Sequence, residues 1–146
     1  MDFIYRIIFD LTQVHPFHTL IVHFPIALVS AALFFILLAL WRHSDVLEQV
    51  AFANIALAAV STVVAGITGY IDNIRNFQGA APNADVKIVL AIILFALTTS
   101  MAVVRWKNPG IFHVMPQKSF YVAGFVLSFV LVAVLGFLGG VILYGF

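Results

Sequence analysis

Three histidines fall within nine residues near the start of the chain, His15, His18 and His23. Imidazole titrates near neutral pH and is the commonest metal ligand, so such a cluster can hold a haem iron, another metal or a quinone oxygen, or can pass protons. Asp72 is the carboxylate best placed to back them, because it closes a stripe of small residues formed by Ser61, Ala65 and Gly69. The remaining histidines, His43 and His113, fall in polar connections and are assigned to solvent.

The elements that must position these groups are membrane helices. Hydrophobic residues make up 64% of the 146 and charged residues 9%, against about 25% charged in a soluble domain. Mean hydropathy is +1.14, and at about 20 apolar residues per crossing the chain has material for four spans. We read residues 1–146 as a single integral membrane domain of all-α class, an antiparallel four-transmembrane-helix bundle. The spans are expected at about residues 17–41, 50–70, 86–106 and 119–144. Residues 1–14 place Phe3, Ile4, Ile7, Ile8 and Leu11 at helical spacing, which predicts a short helix lying in the interface. Pro25 removes one amide donor inside the first span and predicts a bend there. Asp85 is expected to cap the third helix.

The net charge of +1 leaves no basic field for a row of phosphates, which excludes nucleic acid as a partner. Zero cysteines remove disulfides, thiolate metal sites, iron–sulfur clusters and covalently attached c-type haem. Phosphate-binding glycine loops, G-x-S-x-G elbows and H-E-x-x-H are all missing from the sequence. No catalytic residues are assigned, and an enzyme is the less favoured class. All six acids are placed in tails, loops or helix ends, which argues against a transporter or proton channel.

Helices in lipid approach closely where small residues line one face. Ala58, Thr62 and Gly66 form a second stripe on span two, and Gly136 and Gly140 a G-x-x-x-G pair on span four. On span one His23 shares a stripe with Ala27, Ser30 and Ala31, which predicts an inward imidazole. Spans one and two run antiparallel, so His23 and Asp72 are expected to hydrogen-bond, directly or through one water. Thr98, Thr99, Ser100 and Ser128 are expected to bond between helices.

The segment from His15 to Leu28, HPFHTLIVHFPIAL, strongly resembles the opening signature of a bacterial membrane family called domain of unknown function 2231. Thr68-Gly69-Tyr70-Ile71-Asp72 is similar to that family's end of helix two, and Leu135 to Gly140 to its glycine-rich end of helix four. The resemblance implies four membrane helices, a redox setting and b-type haem, with His23 and His18 or His15 as the matching metal ligands. Lys87 stands near the start of span three, where the resemblance implies a histidine, and Val141 where it implies a glutamate. His18 and His23 are five residues apart, about 140° around one helix, so they do not face one iron from opposite sides.

The resulting expectation is a redox-associated, non-catalytic membrane subunit in electron transport. It would bind haem b, quinone or another metal centre through His15, His18, His23 and Asp72. A purely structural subunit of a respiratory or photosynthetic complex is the alternative. Partners are the lipid bilayer and other membrane subunits or further copies of the chain. The location is the bacterial inner (cytoplasmic) membrane. Arg6, Arg75 and Lys87 lie on the side of the termini, against Arg42, Arg105, Lys107 and Lys118 on the other. That count of three against four favours termini outside.

Overall fold

The computed structural model describes residues 3, 4 and 17–144, with side chains to 141. Four helices, each long and apolar enough to cross a membrane, carry almost all of it: α1 (Phe17–Arg42), α2 (Asp45–Phe77), α3 (Ala84–Lys107) and α4 (Gln117–Tyr144). A single 3-10 turn, Ile111–His113, sits between α3 and α4. Each helix packs on its neighbours around a ring, α1 on α2, α2 on α3, α3 on α4 and α4 back on α1. Apart from Phe3 and Ile4, both exposed helical positions, the expected interfacial helix lies outside the described residues, as does His15.

Every helix presents a heptad seam to its partners. On α1 the buried line is Pro25, Val29, Ala32, Ile36 and Ala39, which His18 and Val22 extend backward at the same 3–4 spacing. On α2 it is Glu48, Ala51, Ile55, Ala58, Thr62 and Ala65, extended by Gly69 and Asp72. Leu94, Thr98 and Met101 lead to Arg105 on α3, and Tyr121, Phe125, Ser128 and Val132 line α4. A sustained seven-residue repeat is the spacing of left-handed, knobs-into-holes packing. The seam draws on both small-residue stripes of α2 and leaves Gly66 exposed, with open space where a side chain would be.

The α1–α2 junction is only two residues long. His43 adopts a left-handed conformation (φ 51°), and the Ser44 amide donates to Ala39 O at 3.2 Å. Ser44 also caps α2, its hydroxyl accepting from the Leu47 amide at 3.5 Å. Helix α2 therefore starts at Asp45 and runs to Phe77, longer at both ends than the expected 50–70. The expected loop over 42–49 is mostly helix, because Glu48, whose charge suggests solvent, is 2% exposed and neutralised from α3. Asp85 does not cap α3. The cap position belongs to Asn83, in a left-handed conformation, and Asp85 lies in the first turn where its charge suits the helix dipole.

The expected interhelical hydroxyl bonds are mostly made within helices instead. Thr98 Oγ1 donates to Leu94 O at 2.8 Å and Ser128 Oγ to Gly124 O at 2.8 Å, and Thr99 Oγ1 is buried without a partner. The one contact across helices from this set is Ser128 Oγ to Met101 Sδ, at 3.8 Å. Interior hydroxyls in apolar helices return their proton to the preceding turn when no better acceptor is in reach.

Candidate functional site

The inward histidine is His18. It occupies the α1 seam one turn before Val22, and its ring lies flat against Gly69 of α2. A Cβ at Gly69 would stand 2.8 Å from His18 Cε1. Thr68 Oγ1 is hydrogen-bonded to His18 Nδ1 at 3.2 Å, and it also lies 3.0 Å from Val64 O and 3.1 Å from Ala65 O of its own helix. The charges of Asp72 and Lys87 both reach this ring, and Asp72 Oδ1 accepts from Asn76 Nδ2 on the next turn.

His23 faces the other way. It is exposed, as are its neighbours Leu20, Phe24 and Ala27, and it does not bond Asp72. Its Nδ1 donates to the Thr19 carbonyl at 2.5 Å, one turn back. Of the inward stripe expected through His23, Ala27, Ser30 and Ala31, the first two are exposed and the last two half-buried. The physical reason is phase: the seam passes through Val22, and the next residue is turned about 100° from it. A carbonyl cannot donate, so Nδ1 carries a proton and Nε2 is the ring nitrogen left for another partner. At 1.5 Å per residue the ring lies about 9 Å from the start of α1.

At the opposite end of the bundle a second polar constellation closes the seam. Glu48 Oε1 accepts from Arg105 Nε at 2.6 Å and from Tyr121 OH at 3.0 Å, and Oε2 accepts from the other arm of Arg105 at 2.7 Å. These residues come from the start of α2, the end of α3 and the start of α4, and Glu48 and Tyr121 are almost wholly buried. The carboxylate has a bidentate guanidinium and a phenol, so this is a satisfied clasp rather than an open binding site. Sequence reasoning placed Glu48 in a loop and missed the clasp. The usable signal was the heptad phase linking Glu48 to Ala51 and Ile55.

The family described as predicted membrane protein (DUF2231) matches residues 14–146. The chain belongs to this family. No curated protein and no solved structure matches it. In this DUF2231 protein no group of three or more His, Asp or Glu is arranged to hold a metal ion among the described residues. His18 and His23 stay apart, one between α1 and α2 and one on the outer face. A metal-bearing group would thus be held by one imidazole from these two, with its other ligand supplied from elsewhere.

Proposed function

We propose that this DUF2231 protein is a redox-associated, non-catalytic integral membrane subunit that holds haem b against its outer face, with His23 as one axial ligand. The supporting observation is that His23 is exposed and holds its Nδ1–H on the Thr19 carbonyl, which leaves Nε2 as the nitrogen that could ligate. A metal-ligating histidine characteristically donates its second ring nitrogen to a carbonyl or carboxylate in this way. An imidazole turned toward acyl chains with a free lone pair is costly without a partner. Ala27, one turn further on, contributes only a methyl group beside the ring, which suits a planar macrocycle. A quinone carbonyl oxygen needs a donor, so the lone pair on Nε2 favours a metal over a quinone.

Bound haem iron supplies reversible one-electron exchange. A further ligand would have to come from a neighbouring subunit, a second copy, or His15. His18 serves by fixing α1 against α2 beside the site, through Thr68 and Gly69. The location is the bacterial cytoplasmic membrane with termini outside, which puts His18 and His23 toward the outer side. Absorbance of the complex extracted intact from its native membrane tests this. A Soret band with a reduced-minus-oxidised change is expected, lost in His23→Ala and kept in His18→Ala. No Soret band, or one that survives His23→Ala unchanged, would reject the haem and leave the purely structural subunit of a respiratory or photosynthetic complex.

A further inference from the structure

The α4 start, the 3-10 turn and the last turns of α1 enclose an open cleft of about 670 Å³, at the end of the bundle away from the histidines. Its volume lies within the roughly 300–1,000 Å³ that ligand sites span. Leu40 of α1 and Val122 and Ala123 of α4 give it an apolar floor, and Met115 lies at its rim. Trp41 and Trp106, both strongly exposed, mark the same end. Exposed tryptophans at span ends are the signature of the membrane–water interface. The cleft therefore opens at headgroup level and runs inward beside acyl chains.

One cation is left to act at its mouth. Lys118 Nζ is steered by the face of Phe112, 4.6 Å from the ring centroid, and no carboxylate among the described residues pairs with it. His113 also lines the cleft, but its Nε2 is taken up by Asp45 Oδ1, 3.1 Å away. Three first-turn amides of α4 are occupied as well. Lys118 N donates to Val114 O, and Ser119 N and Phe120 N donate to Pro116 O. Anion recognition at the cleft thus falls to the Lys118 ammonium. Arg42 and Lys107, at the ends of α1 and α3, add positive charge at the same level.

We infer that this cleft is a binding site for one anionic phospholipid, with its phosphate on Lys118 Nζ and an acyl chain along Leu40, Val122 and Ala123. Basic pockets between membrane helices take anionic headgroups by this combination of charge and apolar groove. The site is independent of the haem proposed above, whose candidate ligand His23 belongs to the other end of the bundle.

The test is native mass spectrometry of the full chain released from nanodiscs of equal phosphatidylglycerol and phosphatidylcholine. Wild type should retain phosphatidylglycerol in preference to phosphatidylcholine. Lys118→Gln should lower that preference about fivefold, the weight of one lysine near an anionic surface, and Lys118→Arg should restore it. Ala123→Trp, which fills the groove and leaves the charge untouched, should abolish retention. Inorganic phosphate at millimolar concentration should displace nothing. Equal retention of the two lipids overturns the inference, as does displacement by phosphate alone. So does unchanged selectivity in Lys118→Gln with its thermal midpoint intact.

Discussion

At the scale of single residues, Glu48 is the group on which most depends. It is nine-tenths and more buried, and its two oxygens are shared by Arg105 and Tyr121. Taking two charges out of water is expensive, and the clasp recovers that cost only while every member is present. Glu48→Ala leaves a guanidinium and a phenol without their acceptor, and should cost roughly 3–5 kcal/mol. Thermal unfolding in detergent micelles reads this as a large fall in midpoint. The triple variant Glu48→Leu, Arg105→Met, Tyr121→Phe should regain most of the loss, because apolar side chains of similar volume need no partner. A triple variant as unstable as Glu48→Ala would place the stability in contacts other than the clasp.

At the scale of elements, the heptad seam decides which residues meet. His18, Val22 and Pro25 share the α1 seam, and His23, adjacent in sequence to Val22, does not. Small residues alone are an ambiguous guide to the buried face, since Ala27 and Gly66 are exposed while Ala58 and Ala65 are buried. Two glycines on α2 make the distinction measurable. A methyl at Gly69 would stand 2.8 Å from His18 Cε1, so Gly69→Ala must expel the imidazole and break its bond to Thr68. A loss of about 1–3 kcal/mol is expected from such overpacking. Gly66 meets nothing within 4 Å, so Gly66→Ala should leave stability unchanged or raise it by up to about 1 kcal/mol through helix propensity. Melting curves of the two variants side by side check the contrast, and equal behaviour would mean that His18 does not rest on Gly69.

At the scale of the whole molecule, an apolar seam is closed at each end by polar groups, His18 with Thr68 and Asp72 at one and Glu48 with Arg105 and Tyr121 at the other. Helix α2, with 33 residues, is about 50 Å long and overreaches the ~30 Å hydrocarbon layer, which lets it carry a member of both groups. The basic residues outnumber four to three at the clasp end, so that end should face the cytoplasm. Alkaline phosphatase fused after Phe146 should be active and a fluorescent-protein fusion dark. The reverse pattern would place the histidines on the cytoplasmic side.

Hydropathy alone determined the four spans, their antiparallel order and the exclusion of soluble chemistry, because a run of apolar residues has no other stable environment. The ends of α1, α3 and α4 were legible within two residues for the same reason. The extra turns of α2 were not, because the partner that permits Glu48 to be helical and buried is Arg105, 57 positions away. Which histidine turns inward was decided only by tertiary packing: a helix offers every residue a face, and the phase of the seam is set jointly by the helices that meet there. The same packing brought Glu48, Arg105 and Tyr121 together, since no local pattern relates three charged or polar side chains on three separate helices.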